Sequence, residues 1–358
     1  MRVCILGVGL SSLTLAKALV NEKIYVDLIA PKKKFVLDKS RTIGISKSNV
    51  EFFNKHVINV KKIIWKLKKI EIYSENFKDQ KLIEFKNNSK ELFSIVKNFK
   101  LYQCLEESLN KNLFFKKKIL KKKINFIEKY DLVINTDFNN MITRKYFSKK
   151  IIKKYNSFAY TTTIKHQKIK NNVAFQIFTK KGPLAFLPIS NNETSIVYSL
   201  DGITKMKNEY LNDLIYKFND KYKIKQIEKF KSFELKSLNL RSYYHKNLLA
   251  FGELLHRIHP LAGQGFNMTI RDIKVLLEII KTKRDMGLPI DSSVNSEFEK
   301  IIKHKNYLFS NGIDLVHKFF NLERKTNSLI LSKSVKFIGK NTLINKLLTK
   351  IADEGTSI

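Results

Sequence analysis

The sequence predicts an α/β fold: a Rossmann-like nucleotide-binding domain interleaved with a domain built on a mostly antiparallel sheet, plus carboxyl-terminal helices. Three observations predict it. The chain opens on a strand, a glycine turn, a helix and a second strand, a βαβ unit that begins at residue 2. Its middle carries three short apolar runs in succession, which read as an antiparallel meander. A strand, a turn rich in Gly and Pro and a helix then return near residue 250, so the first domain is interrupted by the second. At 358 residues the chain is long enough for two such cores.

In "RVCILGVGLSSLTLAKALVNEKIYVDLIAP", "VCIL" is a short buried strand and "SSLTLAKALV" has helical spacing. "IYVDLIA" is a second strand, ended by Pro31. Between the first strand and the helix lies Gly7-Val8-Gly9-Leu10-Ser11-Ser12, a G-x-G-x-x-S form of the dinucleotide turn. The first Gly permits the tight turn, and the second lets backbone approach a pyrophosphate. The helix amino terminus then favours that negative charge. Ser12 replaces the third Gly and is small enough for close packing of helix on strand. The acid that should grip a ribose at the end of the second strand is absent. Ala30 holds that position, and Asp27 is nearby but out of register.

"DLVINTDFNNMITRKYF" is an apolar strand followed by Asp137 and, seven residues later, Arg144; taken alone it reads as a plain strand and an Asn-rich turn. "NVAFQIFTKKGPLAFLPISNNETSIVYSL" reads as three strands, broken at Gly182-Pro183 and at Asn191-Asn192. "KNLLAFGE" is a further short strand, and "GFNMTIRDIKVLLEIIKTK" is a helix. The tail from about Ser296 is helical.

The densest stretch is "FGELLHRIHPLAGQGFNMTIRD". Gly252-Glu253 ends a strand and places a carboxylate where it could accept a hydrogen bond from a sugar-chain hydroxyl. Pro260 stiffens the entry to the turn, and Gly263 and Gly265 let backbone amides face a ligand. A helix beginning near Phe266 adds its partial positive charge. His256 and His259 stand at i, i+3, but no third ligand or cysteine accompanies them, so no metal site is expected. They read as loop and strand-end structure.

Composition narrows the function classes. Hydrophobic residues make up 43%, ordinary for a globular protein with a sizeable core. The formal charge of +36 is extreme, yet only eight of the 68 basic residues are Arg. Lys spread along a chain rich in Ile and Asn suits an AT-rich coding bias better than a groove for phosphates, so no nucleic-acid partner is expected. "KKKILKKK" reads as a solvated face, and Lys-assisted contact with a membrane surface stays open. Two cysteines, Cys4 and Cys104, give no disulfide framework and fit a reducing compartment. The first twenty residues have the outline of a signal peptide. Two glycines, Lys17 and the lack of a cleavage site speak against one. No run is long enough to span a bilayer.

The order of the glycine turn, the Asp–Arg turn and the Gly-acid-turn-helix stretch resembles the flavin-dependent aromatic monooxygenases with a para-hydroxybenzoate hydroxylase-like fold. More narrowly, it resembles the ubiquinone-biosynthesis hydroxylases. "GELLHRIHPLAGQGFNMTIRD" matches that group's G-D-x-x-H-x-x-H-P-x-x-G-Q-G-x-N-x-x-x-x-D pattern at nearly every position. "RTIGIS", from Arg41, is similar to its flavin-contacting R-x-x-A-L segment, and "FTKKGPLAFLPI" to its substrate-sheet strand pair. "SNGIDLVHKFF" and "LINKLLTKIADEG" are similar to its carboxyl-terminal helices, so the resemblance spans essentially the whole chain. Three departures stand out: Glu253 for the family's Asp, Ala30 for the ribose acid, and a D-G-x-x-S-x-x-R turn that keeps Asp137 and Arg144 but loses its Gly and Ser. Phe138 stands at that Gly, where positive φ would make a bulky residue an outlier.

The resemblance implies FAD as cofactor and NADH or NADPH as co-substrate. It implies hydroxylation of the aromatic ring of a polyprenylphenol by O2 in ubiquinone biosynthesis, through a C4a-hydroperoxyflavin. The FAD-binding domain would comprise 1–50, 94–150 and 245–290, the substrate domain 51–93 and 151–244, and a helical region 291–358. Gly7, Gly9, Ser11, Ser12, Arg41, Asp137, Gly252, Glu253, Ala262, Gly263, Gln264, Gly265, Phe266 and Asn267 would bind the cofactor. Pro260, Leu261, Gly263 and Gln264 would form the flavin environment at the reacting ring, and no side chain is assigned as base. The expected location is the cytoplasm, with peripheral contact at the inner membrane and a quinone-biosynthesis complex as open partners. Two other functions fit the same motifs: another FAD-dependent oxidoreductase such as a prenyl reductase, or a scaffold subunit that has lost catalysis.

Overall fold

The computed structural model of the chain describes residues 1–31, 38–75, 81–86, 91–119, 127–202, 205–258, 263–326 and 342–355. The predicted βαβ unit is present as β1 (Arg2–Leu6), α1 (Leu10–Asn21) and β2 (Tyr25–Ala30). The chain leaves it through β3 (Thr42–Ser46), helix α2 (Lys47–Phe52) with a π turn at Phe53–Val57, β4 (Ile64–Leu67), β5 (Lys69–Ser74), β6 (Lys81–Lys86) and β7 (Phe93–Lys97). Helix α3 (Asn98–Asn110), β8 (Phe115–Ile119), β9 (Leu132–Asn135) and α4 (Met141–Tyr146) come next. A run of strands follows: β10 (Lys150–His166), β11 (Val173–Thr179), β12 (Gly182–Pro188) and β13 (Glu193–Asp201). Helix α5 (Asn208–Lys217), β14 (Ile224–Ile227) and β15 (Lys231–Leu240) complete that run. The short strands β16 (Tyr244–His245), β17 (Leu248–Ala250) and β18 (His256–Arg257) lead into helices α6 (Gln264–Asp285), α7 (Ser292–Thr326) and α8 (Thr342–Glu354).

The strands form three sheets. One has the order β16-β17-β9-β1-β2-β8, parallel except for the β16–β17 hairpin. Its central strands read "VCIL", "YVDLIA" and "LVIN" and are buried nearly end to end, as expected for a sheet covered on both faces. A second sheet has the order β18-β15-β10-β13-β12-β11-β5-β6, with β14 on β10, and is antiparallel except where β11 meets β5. Strand β12 alternates buried and half-buried residues along its length, the period of a sheet with one face on a core. Helix α5 covers that core through Leu211, Leu214 and Ile215, against Tyr160, Phe186 and Tyr198. A small antiparallel sheet, β3-β7-β4, carries the "RTIGIS" segment.

Two sequence expectations need correction. The break between β11 and β12 falls at Lys180-Lys181, and Gly182-Pro183 already belong to β12, paired with Thr179 and Phe178. A side chain at Gly182 would lie 1.8 Å from the Ser199 carbonyl oxygen, so the glycine marks a close crossing of strands. Gly252 and Glu253 do not end a strand. β17 stops at Ala250, and Gly252–Leu254 form one turn of 3-10 helix.

Asp27 is a structural residue. It is 2% exposed and receives Arg2 Nη2 at 2.9 Å, Lys118 Nζ at 2.8 Å and the Tyr130 hydroxyl at 2.7 Å, tying β1, β2 and β8 together. Burial alone would push its carboxyl up. The hydrogen bonds from Lys118 and Tyr130, with the charges of Lys118 and Arg2, outweigh burial and hold it below its ordinary value of 3.8. The carboxylate therefore stabilises the fold fully above that value, and the contribution is lost as pH falls through the lower folded value. Asp27→Asn is expected to cost roughly 1.5–3 kcal/mol at neutral pH. Urea denaturation across pH should show this difference constant from neutral pH down to mild acid and shrinking below about 3.8.

Candidate functional site

In open parallel sheets, ligands gather beyond the carboxyl ends of the strands, where helix amino termini begin. Three adjacent strands deliver their carboxyl ends to one place here. β1 leads into the glycine turn, β9 into Thr136, and β17 into the Gly252–Leu254 turn. A cavity of about 1380 Å³ opens there, and Gly9, Leu10, Ser11, Ser12, Thr136 and Glu253 are in its wall.

Two helices start at the cavity, and neither amino terminus is capped by a side chain. α1 begins after Gly9 in extended conformation, and α6 begins after Gly263 in the left-handed region at φ 62°. Among the described residues, the first-turn amides of both helices thus have no side-chain acceptor. Each helix end also carries about half a positive charge. Gly263, Gln264, Gly265 and Phe266 line the same cavity. α6 begins at Gln264, two residues before the expected start, so all three residues 264–266 are in its first turn. Beside Gly9 and Gly265 a side chain would meet open space. Gly252 behaves differently. At φ 65° its added carbon would lie 2.9 Å from Ser11 Cβ, so the glycine lets the 3-10 turn press against α1. Ser12, the substituted third glycine, is fully buried and sits 2.6 Å from Thr136 Oγ1, which in turn donates to the Leu6 carbonyl.

The opening of α6 is held by Asn267. Its amide donates to the carbonyls of Gly44 at 3.0 Å and Gly263 at 3.2 Å. Its oxygen accepts from the Ser46 amide and from Asn49 Nδ2, both at 2.9 Å. All four hydrogen-bonding positions of this fully buried side chain are therefore used by protein. The Asn267 side chain thus serves as a strut beneath the cavity. Thr136 is in the wall, whereas the Asp137 carboxylate accepts the Asn139 amide at 2.9 Å within the turn. That turn is the Asn-rich turn of the plain reading. Asn140 caps α4 by accepting the Thr143 amide and donates to Asn135, and Thr143 Oγ1 donates to the Asp137 carbonyl. Phe138 is not among the described non-glycine residues at positive φ, so the lost Gly leaves no strained backbone. Its ring instead receives Lys150 and Arg257 at 4.3 and 5.4 Å.

Arg41 is in the cavity wall with its guanidinium over the Phe233 ring. The Glu253 side chain is 66% exposed and pairs with Arg257 at 3.3 Å, so the longer acid reaches outward. Gly7 lies in the turn below, its amide bonded to the Ile29 carbonyl. His259, Pro260, Leu261 and Ala262 lie outside the described residues. Away from the helix ends the wall turns apolar, with Ile83, Phe85, Phe175, Phe178, Leu187 and Val197 from the antiparallel sheet and Leu308, Ile313 and Leu315 from α7.

Sequence spacing alone assigns no role to the pair His256 and Asp272. His256 is buried in the cavity wall, and its Nε2 lies 2.6 Å from Asp272 Oδ2, with both side chains 1% exposed. Asn306 of α7 donates to the other Asp272 oxygen at 3.1 Å. Two buried side-chain atoms, His256 Nδ1 and Gln264 Oε1, have no hydrogen-bond partner among the described residues and no surface open to the cavity. No group of three or more His, Cys, Asp or Glu converges among the described residues.

No family model matches the chain. Among curated proteins it is 27% identical over 167 residues to the uncharacterized protein slr1300 of Synechocystis, covering 44% of this chain and 40% of that one. It is 26% identical over 175 residues to the ubiquinone hydroxylase UbiL of Rhodospirillum rubrum, covering 47% and 41%. It is 24% identical over 271 residues to the ubiquinone biosynthesis monooxygenase COQ6 of Schizosaccharomyces pombe, covering 62% and 57%. The matches thus span about half the length of these relatives. Among solved structures, the p-nitrophenol 4-monooxygenase PnpA of Pseudomonas putida superposes with a TM-score of 0.77 at 10% identity, over 99% of this chain and 98% of that one. A single-residue variant of HpxO from Klebsiella pneumoniae, complexed with FAD, gives 0.75 at 11% identity over 99% of both chains. The resemblance read from the sequence is borne out: homologues carry ubiquinone-hydroxylase names, and the fold is that of FAD-binding aromatic monooxygenases.

Removing the Asn267 strut should disturb the site and the fold together. Asn267→Ala strands the Ser46 amide, the Asn49 amide and two carbonyls, each worth about 1–3 kcal/mol when left buried without a partner. We expect a net loss on the order of 3 kcal/mol in chemical denaturation, with Asn267→Asp no better because it cannot donate to the two carbonyls.

Proposed function

We propose that the chain is an FAD- and NAD(P)H-dependent monooxygenase that hydroxylates the aromatic ring of a polyprenylphenol in ubiquinone biosynthesis. One observation carries the reading: two uncapped helix amino termini and an apolar arm share a single cavity. The polar end suits a ligand with a diphosphate and a polar heteroaromatic edge, and the apolar end suits a ring with a prenyl tail. Similarity to UbiL and COQ6 over about half their length supports the pathway assignment.

The residues present fit FAD. Gly9, Leu10, Ser11 and Ser12 offer first-turn amides and open space to the pyrophosphate. Gly263, Gln264, Gly265 and Phe266 would hold the polar edge of the flavin ring, where the α6 amides stabilise negative charge. Arg41 and Glu253 would border the ring and the sugar chain. Bound FAD would supply the acceptance of hydride from NADH or NADPH and the activation of dioxygen.

The protein's own contribution is geometry and exclusion of water. Asn267 fixes Gly263 against Gly44, so the donors of α6 are aimed before any ligand arrives. Phe175, Phe178, Leu187 and Val197 keep the reacting ring dry and orient it by shape. The exposed Leu315 of α7 places apolar surface beside the arm, where a tail could leave the cavity. This region also underlies the proposed peripheral contact with a membrane. No helix among the described residues is long and apolar enough to cross one.

Two measurements test the reading. FAD-loaded protein should oxidise NADH or NADPH faster when a prenylphenol is added and yield the hydroxylated ring; a prenyl reductase would instead return a saturated chain. Gly9→Ala and Gly265→Ala should leave the flavin-free protein as stable as the parent, because their side chains enter open space. Each should nonetheless weaken FAD by at least about tenfold. Unchanged affinity in both would place the cofactor elsewhere.

A further inference from the structure

The apolar arm proposed for the prenylphenol is walled by one face of the large antiparallel sheet, and a single long polar side chain interrupts that wall. We propose that Gln176 of β11 hydrogen-bonds the ring oxygen of the substrate and so selects an oxygen-bearing ring over a hydrocarbon of the same shape; this rests on the monooxygenase reading above.

Strand pairing places the residue. Residues directly opposite each other on paired strands share a face of the sheet. Gln176 lies opposite Ile72 of β5 on one side and Ala185 of β12 on the other, and Ala185 lies opposite Val197 of β13. All four are in the cavity wall, as are Ala174 and Phe178, two residues away on either side along β11. β11 is flanked by strands on both sides, so Gln176 is not at a solvated sheet edge. Of the cavity-wall residues on β5, β11, β12 and β13, only Gln176 and Ser199 are polar. Ser199 is 5% exposed, short, and two strands away.

The Gln176 amide has no task within the protein. Among the described residues no group hydrogen-bonds it, and its atoms are open to the cavity, unlike Thr161 Oγ1 on the same face, which is sealed off without a partner. Ala185, directly opposite, is small and leaves the amide uncovered.

An open amide in such a wall discriminates by what it loses. An apolar ring pressed against it strips its water and returns nothing, whereas a phenolic hydroxyl, itself donor and acceptor, replaces the lost hydrogen bond. Shape alone separates similar rings poorly, and a polar group left unpaired by the wrong ligand separates them well. The apolar neighbours then hold the ring while the amide fixes which edge it presents.

The test compares two probes that differ by one oxygen, 2-farnesylphenol and farnesylbenzene, titrated calorimetrically into FAD-loaded protein. The readout is the Kd of farnesylbenzene divided by that of farnesylphenol; comparing this ratio between proteins cancels the probes' different hydration. Gln176→Leu should lower the ratio by about tenfold while FAD uptake is retained. Gln176→Met, which keeps an unbranched chain and loses the amide, should do the same where leucine disturbs the sheet. A structural role would weaken both probes alike and leave the ratio unchanged, and that result overturns the proposal. Loss of FAD uptake in both folded variants also overturns it, by assigning Gln176 to the cofactor, as does wild type that takes up FAD but neither probe. A wild-type protein that takes up no FAD overturns the monooxygenase reading on which the proposal rests.

Discussion

One buried amide sets the position of the helix end that closes one side of the cavity. Asn267 joins the first turn of α6 to Gly44 and Ser46 of β3 and to Asn49 of α2, with both of its own donors and both acceptor positions of its oxygen used. Asn suits the position because two donors and two acceptors converge on it within the protein, and an isosteric acid or an apolar residue would strand some of them. Its bond to Gly263 also supports the left-handed turn that brings the helix end into the cavity. A helix amino terminus is useful to an anion only while its direction is fixed. This network fixes it without placing a charged side chain in the way.

The electrostatics follow the same economy. The chain carries a formal +36, yet the proposed anion site is built from backbone at two helix ends. Fixed peptide dipoles need no reorganisation and resist screening better than mobile surface lysines. The one carboxylate of the βαβ unit's strands, Asp27, joins β1, β2 and β8 away from the cavity.

Much of the fold was legible in the sequence because its signals are local. Strand β1, helix α1 and the meander from β11 to β13 follow from period and turn residues, with errors of a residue or two where Gly182 belongs to a strand crossing rather than to a turn. The glycines of the candidate site were legible for the same reason, since an open backbone approach leaves few alternatives. The rest depended on distance in space. Asn267 sits in the sequence pattern like a ligand contact, but only tertiary placement shows its four partners. His256 looked like loop structure, because its partner Asp272 lies sixteen residues away on a helix whose register was unknown. Phe138 looked like backbone strain, and Asn135, Asn140 and Thr143 hold its turn without any. The resemblance to ubiquinone-biosynthesis hydroxylases supplied the cofactor class that no single motif here could.

The central claim is that the cavity between the two uncapped helices holds a flavin dinucleotide. The most direct measurement is the visible absorbance spectrum of the full chain, as purified and after incubation with FAD and removal of the excess. The account predicts a yellow protein with about one flavin per chain and a flavin band shifted from that of free FAD by the dry environment of α6. A folded protein that stays colourless after reconstitution would contradict it.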